Sequence, residues 1–210
     1  MNRRELLGVS MGAALGWRTA AAASPLRQDK KPIRAVLFDA FPLFDPRVVS
    51  SLVQRLYPEK AAMLLQAWRA RQFEYQWLRV LGNRYVDFLQ ATEDSLTYAA
   101  RQSEVALTAE NRRQLMSAYS SPRVWPDTHE ILPKIRDLGV SLGILSNMTY
   151  AALESGLTKA NLRHLFSHIL STDIVRTYKP ARRAYQLGTD SLGIGRDEVL
   201  MVAFAGWDVA

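Results

Sequence analysis

The run Ile33-Arg34-Ala35-Val36-Leu37-Phe38-Asp39 decides the fold, because it is a short apolar segment that ends in a carboxylate. A compact apolar run of this length is typical of a buried β-strand. An Asp at the end of such a strand is often only a turn residue, so this position alone does not indicate catalysis. The order of the segments that follow determines how the strand is used.

The pattern after this strand becomes helical. The spacing of Leu64, Trp68, Tyr75 and Leu78 predicts a helix with one apolar face. Gly82-Asn83 predicts the end of that helix. A second helix is predicted over residues 86–101, and a third begins after Thr108, which is a suitable N-cap.

Strands and helices then alternate in the second half of the chain. The predicted strands are Val140–Leu145, His168–Ser171 and Val199–Phe204, and helices are predicted between them. This alternation implies a parallel sheet with right-handed crossovers. The predicted fold class is α/β: a Rossmann-like parallel sheet core with an all-helical cap inserted after the first strand. The core comprises residues 33–46 and 121–210, and the cap comprises residues 47–120.

The amino terminus predicts an export signal over residues 1–24. Arg3-Arg4 precedes a modest apolar stretch, and small residues follow at Ala20–Ser24. Paired arginines before a weak apolar stretch resemble a twin-arginine leader, which predicts a periplasmic protein. An uncleaved amphipathic helix or membrane anchor is the alternative. Residues 25–32 are polar and flanked by prolines, as in a linker.

Composition excludes several classes of protein. The 210 residues contain no cysteine and three histidines, so neither a disulfide framework nor a thiolate metal site is expected. No apolar run approaches the ~20 residues that span a bilayer. The net charge is +7, but the basic pairs are scattered and are not interleaved with aromatic residues, so no nucleic acid is expected. A small anionic substrate would benefit from the positive field.

Polar residues stand at or near the ends of the predicted strands. Asp39 ends the first strand, Ser146-Asn147 the next, and Lys179 follows the third. The carboxyl ends of parallel strands share one rim of the sheet, where ligands bind. A carboxylate, a lysine and a serine meeting there would form a candidate site for covalent catalysis.

Five segments together carry a resemblance to a known family. They are Phe38-Asp39-Ala40-Phe41, Trp68-Arg69-Ala70-Arg71-Gln72-Phe73-Glu74-Tyr75, Asn83-Arg84-Tyr85-Val86-Asp87-Phe88, Ile144-Leu145-Ser146-Asn147 and Tyr178-Lys179-Pro180. The chain resembles type II (S)-2-haloacid dehalogenases of the haloacid dehalogenase superfamily from about Ile33 to Asp208. The aromatic-rich segment around Arg69 indicates dehalogenases, whereas the other segments alone would indicate only the superfamily.

The resemblance implies hydrolytic removal of halide from short 2-haloalkanoic acids, without a metal or other cofactor. Asp39 would attack the halogen-bearing carbon and form an ester, which water would then hydrolyse. Lys179 would hold the carboxylate ionised. Ser146 would bind the substrate carboxylate, and Arg69 with Asn147 would receive the halide.

The resemblance also assigns supporting roles around these groups. Phe41, Phe88 and Trp207 would wall the pocket, although for Phe88 an ordinary core role is equally open. Tyr185 would support the site. Asp208 would orient Lys179 or the hydrolytic water. Family members are often dimeric, so a homodimer is one option.

The chain departs from the family pattern at three places. Pro42 replaces the Gly-Thr pair after the nucleophile, and alanines at 203 and 205 replace a serine and an asparagine. The family also continues beyond Ala210 with a further strand and helix. An exported relative that has lost catalysis is therefore an alternative. A phosphatase of the same superfamily is a weaker one, because Phe41 stands where those enzymes have a second Asp.

Overall fold

One parallel sheet organises the computed structural model, which describes residues 31–208. Its strands are β1 (Ala35–Phe38), β2 (Ser141–Ser146), β3 (Phe166–Ser171) and β4 (Val199–Val202), in the order β3-β2-β1-β4. The central strand β1 lies between β2 and β4, and all four of its residues are buried because its side chains pack into apolar clusters on both faces of the sheet, Val36 and Phe38 in one and Leu37 in the other. A strand covered on both faces has no need of polar alternation, which explains the continuous apolar run. The predicted α/β fold is confirmed.

Eight α-helices accompany the sheet in the part of the chain that the structure describes. They are α1 (Ala40–Leu43), α2 (Arg47–Leu56), α3 (Ala61–Leu81), α4 (Phe88–Gln102), α5 (Ala109–Ser120), α6 (Thr128–Arg136), α7 (Tyr150–Lys159) and α8 (Arg182–Leu192). Helices α2 to α5 form the helical insert between β1 and β2. The division of the chain into a cap domain and a core domain stays a prediction.

The insert and the sheet each have their own apolar cluster. Leu64, Trp68, Leu96 and Leu115 pack together inside the insert. The largest cluster surrounds the sheet and includes Phe38, Phe44, Phe88, Ile144 and Phe166. Phe88, the first residue of α4, belongs to the cluster around the sheet, so the insert contacts the sheet layer directly at this residue.

The buried face of α3 differs from the predicted one. Leu64 and Trp68 are buried as expected, but the stripe continues through Gln72 and Gln76. Leu78 is 61% exposed, so the prediction that it belongs to the apolar face is wrong. Polar residues continue the stripe because Gln72 donates to Thr92 inside the insert and Gln76 lines a cavity together with Asp39 and Lys179.

Some helix ends follow local sequence signals. Helix α3 ends before Gly82 and Asn83, and Asn83 adopts a positive φ of 54°. The Thr108 side chain accepts a hydrogen bond from the Asn111 N–H and caps α5. Asp127 and Glu130 have the spacing of a capping box at the start of α6, but the side chain of Asp127 makes no capping hydrogen bond. Glu130 instead accepts from Lys134 within the helix.

The export signal and most of the linker, in residues 1–30, lie outside the described residues. Within residues 31–208, none of the helices combines the length and apolar character needed to cross a bilayer.

Candidate active site

Four polar residues lie at the carboxyl ends of the parallel strands. Asp39 directly follows β1, and its backbone N–H donates to the Val202 carbonyl of β4 at 2.8 Å. Ser146 is the last residue of β2, and Asn147 follows it. Asp208 lies in a 3-10 turn after β4. The shared direction of the strands thus brings these groups to one edge of the sheet, as the sequence predicts.

Lys179 joins the two carboxylates at this edge. Its Nζ lies 2.7 Å from Asp39 Oδ1 and 3.2 Å from Asp208 Oδ1. The side chains are 3%, 10% and 2% exposed for Lys179, Asp39 and Asp208, respectively. Buried charges are tolerated when they are paired and hydrogen-bonded. The ammonium therefore stabilises both carboxylates and holds the Asp39 oxygen in a fixed position.

Tyr185 of α8 contacts the ionic group that Asp39, Lys179 and Asp208 form. Its hydroxyl donates to Asp208 Oδ1 at 2.8 Å. Burial raises the pKa of Tyr185 above its ordinary value, and the neighbouring Asp208 carboxylate raises this pKa further. The phenol therefore stays protonated at neutral pH and remains a donor to Asp208.

The backbone of Lys179 is held from both layers of the fold. The Lys179 N–H donates to Asn147 Oδ1 at 2.8 Å, and the Thr172 hydroxyl donates to the same oxygen at 3.2 Å. From the insert, Trp77 Nε1 donates to the Lys179 carbonyl at 3.1 Å. These contacts make the position of the ammonium depend on both the sheet edge and α3.

Ser146 forms a turn rather than a helix cap. Its Oγ accepts from the Met148 N–H at 3.2 Å, while Thr149 caps α7 by accepting from the Ala152 N–H. Because the hydroxyl oxygen accepts this bond, the Ser146 O–H remains able to donate to an anion. The Met148 N–H, by contrast, already donates to Ser146 and is not available to an anion.

A small cavity of about 40 Å³ opens above Asp39 and Lys179. Its other lining residues are Phe41, Arg69, Gln72, Phe73, Gln76, Phe88, Ser146, Asn147, Met148, Phe204, Ala205 and Asp208. Arg69 comes from α3, and its guanidinium carbon lies 5.8 Å from the centroid of the Phe73 ring. Arg69 has no ion-pair partner within residues 31–208, so its charge is available to an anion in the cavity.

A larger cavity of about 260 Å³ adjoins this one. Five residues line both cavities: Phe41, Arg69, Gln72, Phe73 and Met148. The larger cavity extends between α2, α3 and α5, where Val49, Leu65 and Trp68 contribute apolar walls. A third cleft, of about 990 Å³, is lined by Asp45 and Arg47 among others and lacks the Asp39–Lys179 pair.

The structure brings together nearly all site residues that the sequence predicts. Phe41 and Phe88 line the cavity. Phe88 is also part of the apolar cluster around the sheet, so it lies both at the pocket wall and in the core. The side chain of Trp207 lies outside the described residues, and its role stays a prediction. Ala205 lines the cavity where the family pattern has an asparagine.

Sequence reasoning missed five lining residues: Gln72, Phe73, Gln76, Met148 and Phe204. Phe73 and Gln76 follow Arg69 at helical spacing on α3, so this spacing was a usable signal once Arg69 had been selected. Within the described residues, no three His, Asp or Glu side chains cluster in a way that could hold a metal ion.

This fold and site define a capped α/β enzyme whose candidate nucleophile is an aspartate at the end of a strand. The model of the haloacid dehalogenase-like hydrolase family matches residues 33–203. The chain therefore belongs to this family and is a hydrolase.

Individual relatives narrow the similarity further. An (S)-2-haloacid dehalogenase of Pseudomonas sp. strain YL is 36% identical over 177 residues, which are 84% of this chain and 76% of the relative. The crystal structure of an L-2-haloacid dehalogenase is 37% identical with a TM-score of 0.81, covering 85% of this chain and 81% of the other. The L-2-haloacid dehalogenase of Xanthobacter autotrophicus with covalently bound chloropropionic acid is 32% identical, with a TM-score of 0.76, over 84% of this chain and 72% of the other.

Proposed function

We propose that the protein hydrolyses the carbon–halogen bond of short 2-haloalkanoic acids through an aspartyl-ester intermediate. The observation that carries the proposal is the 2.7 Å contact between Lys179 Nζ and Asp39 Oδ1 at the floor of a cavity that Arg69 lines. A held carboxylate can attack carbon, and a free guanidinium can receive an anion. The covalent chloropropionic acid complex of the Xanthobacter autotrophicus relative supports the same chemistry.

In the first step, an Asp39 oxygen attacks C2 of the substrate and the carbon–oxygen bond forms as the carbon–halogen bond breaks. The electron pair of the broken bond leaves with the halide, so no proton is transferred in this step. Lys179 fixes the attacking oxygen, because its ammonium is itself held between two carboxylates. Holding nucleophile and carbon in line removes much of the entropic barrier.

The substrate carboxylate is proposed to bind at the end of β2. The Ser146 hydroxyl is buried and can donate to it, since its oxygen already accepts the Met148 N–H. The halide leaves toward the side of the cavity that Arg69 of α3 lines, and Asn147, which follows β2, lines the same cavity and donates to Gln76 of α3. Charge-assisted hydrogen bonds of this kind are stronger than neutral ones.

In the second step, water attacks the carbonyl carbon of the Asp39 ester and releases a 2-hydroxy acid. Asp208 is the candidate group to accept the proton or orient the water, because it lines the cavity and contacts Lys179. This division of one hard displacement into two easier steps is the advantage of covalent catalysis.

The test is release of chloride from racemic 2-chloropropionate by the protein. We expect turnover by the wild-type chain, loss of at least about 10³-fold on Asp39→Asn, and wild-type rates for Asp190→Asn, an exposed carboxylate on α8. A single turnover in heavy-oxygen water should place one heavy oxygen in the peptide that contains Asp39, because the attacking oxygen leaves with the hydroxy acid and a water oxygen replaces it. Chloride release at the rate of Asp39→Asn would contradict the proposal. Magnesium-dependent hydrolysis of an aryl phosphate would favour the phosphatase instead.

We also propose that the chain is exported by the twin-arginine route. The support is the sequence of residues 1–24 alone, with Arg3-Arg4 before the apolar stretch. Fractionation of cells expressing the full chain should find it in the periplasm, and a double Arg3→Lys, Arg4→Lys variant should remain in the cytoplasm. Periplasmic location of that double variant would contradict the twin-arginine route.

A further inference from the structure

One buried amide in the cavity has an unused hydrogen-bond donor. Gln76 is 1% exposed and lines the cavity with Asp39, Asn147 and Lys179. Within the described residues, Gln76 Nε2 has no hydrogen-bond partner. Buried donors are nearly always paired, because leaving one unsatisfied is costly. The exception at Gln76 therefore calls for a ligand.

The orientation of this amide follows from its neighbours. The backbone N–H of Lys179 can only donate, so the group of Asn147 that faces it must be the oxygen, Oδ1. Asn147 Nδ2 then points to Gln76 and donates to its Oε1 at 3.3 Å. This bond fixes the Gln76 oxygen toward Asn147, and the free end is the NH2 group of Gln76.

The other buried glutamine of α3 provides a contrast. Gln72 lies one turn earlier on the same face, but its Nε2 donates to Thr92 Oγ1 at 2.6 Å. Gln72 is thus satisfied within the insert and needs no ligand. Of the two amides, only that of Gln76 has an N–H without a partner among the described residues, and Gln76 also lines the cavity.

The chemistry of the displacement selects what this donor would bind. Attack by Asp39 at the floor of the cavity requires the leaving group to depart on the opposite side of the carbon, in line with the attacking oxygen. The helix that bears Arg69 and Gln76 supplies cavity residues that do not come from the sheet edge. The substrate carboxylate, by contrast, is bound in the proposed mechanism at the sheet edge by Ser146.

We propose that Gln76 contacts the departing halide through its Nε2–H, as a further catalytic residue beside Arg69 and Asn147. This inference rests on the proposed function. The halide takes the electron pair of the carbon–halogen bond and accepts the hydrogen bond, and no proton moves. Gln76 would supply a donor in a cavity where Ala205 offers none from its side chain.

The first test compares Gln76→Met with Gln72→Met on 2-chloro-, 2-bromo- and 2-iodopropionate. Methionine keeps the length of the side chain and removes the N–H. We expect Gln76→Met to lower kcat/KM for the chloro acid by about 10- to 100-fold, the range for a hydrogen bond to a charged group. The loss should shrink from chloride to iodide, because chloride concentrates its charge and accepts stronger hydrogen bonds. Gln72→Met should change kcat/KM for all three substrates by the same factor.

The second test measures halide binding without turnover. Sodium bromide, compared with sodium sulfate at equal ionic strength, should raise the Tm of the wild-type protein and of Gln72→Met more than that of Gln76→Met. Inhibition of turnover by bromide should weaken about 10-fold or more in Gln76→Met. If Gln76→Met does not fold, Gln76→Glu keeps the size of the side chain and should abolish the bromide effect through charge repulsion.

The outcomes separate this inference from the proposed function. Equal losses on all three halogens, with unchanged bromide binding, would overturn the inference and leave Gln76 as a support for Asn147. Absence of halide release by the wild-type protein would refute the proposed function. In that case the change in Tm on adding sodium bromide, compared between wild type and Gln76→Met, would still decide whether Gln76 binds a halide.

Discussion

Replacing Lys179 with Met tests whether the buried ammonium holds the site together. The substitution keeps an unbranched side chain of similar length and leaves two carboxylates, of Asp39 and Asp208, buried without their cation. We expect the free energy of unfolding to fall by about 3–5 kcal/mol, the usual cost of removing one partner of a buried ion pair. Halide release should fall below detection as well, because the Asp39 oxygen loses its fixed position.

The magnitude follows from the two distances. With an effective dielectric constant of about 20, contacts of 2.7 Å and 3.2 Å correspond to attractions of about 6 and about 5 kcal/mol. The cost of removing the ammonium from water, which is several kcal/mol, offsets a large part of this sum and is absent in the variant. The net loss of about 3–5 kcal/mol is what remains.

The assay is urea unfolding at pH 7, followed by tryptophan fluorescence. The matched control is Lys134→Met, which removes an exposed lysine paired with Glu130 at 2.6 Å and should cost less than about 1 kcal/mol. Adding Asp39→Asn and Asp208→Asn to Lys179→Met should restore at least half of the lost stability, because no buried charge remains. Equal urea midpoints for Lys179→Met and Lys134→Met would refute the reasoning.

Three further predictions concern the larger cavity, the tyrosine of the ionic group and a helix cap. Ser50 lines the cavity of about 260 Å³, and Ser50→Phe should lower kcat/KM for 2-bromohexanoate at least about 10-fold more than for 2-bromopropionate. Ser51 lines the separate cleft of about 990 Å³, and Ser51→Phe should not discriminate between the two substrates; equal effects of the two variants would contradict a substrate role for the smaller of these cavities. Tyr185→Phe should cost about 1.5–3 kcal/mol in urea unfolding at pH 7. The folded-state pKa of Tyr185 is raised, so the phenol stabilises the folded protein fully below pH 10 and this stabilisation is lost as the pH rises further. The difference in unfolding free energy between wild type and Tyr185→Phe should therefore narrow only above pH 10. Narrowing below pH 9 would contradict this assignment. Thr108→Ala should lower the unfolding free energy by about 1 kcal/mol through loss of the α5 cap, and an unchanged urea midpoint would show that the cap contributes nothing.

The sequence by itself determined the fold class and the floor of the site. The continuous apolar run Ala35–Phe38 is typical of a strand buried on both faces, and the alternation of strands and helices in the second half of the chain predicts parallel partners for it. Parallel strands end at one edge, so Asp39 and Ser146 had to meet there. Lys179, which follows the third predicted strand, was expected at the same edge, and its Nζ lies 2.7 Å from Asp39 Oδ1.

Only the tertiary structure decided which face of α3 meets the site and with what hydrogen bonds. Helical spacing defines the faces of a helix, but it does not say which face a neighbour covers. Leu78 is therefore exposed although it is apolar, while Gln76 is buried although it is polar. The free amide of Gln76 depends on Asn147 and on the backbone of Lys179, 71 and about 103 residues away in the chain. Contacts over such separations arise from packing of the whole chain, and no local pattern encodes them.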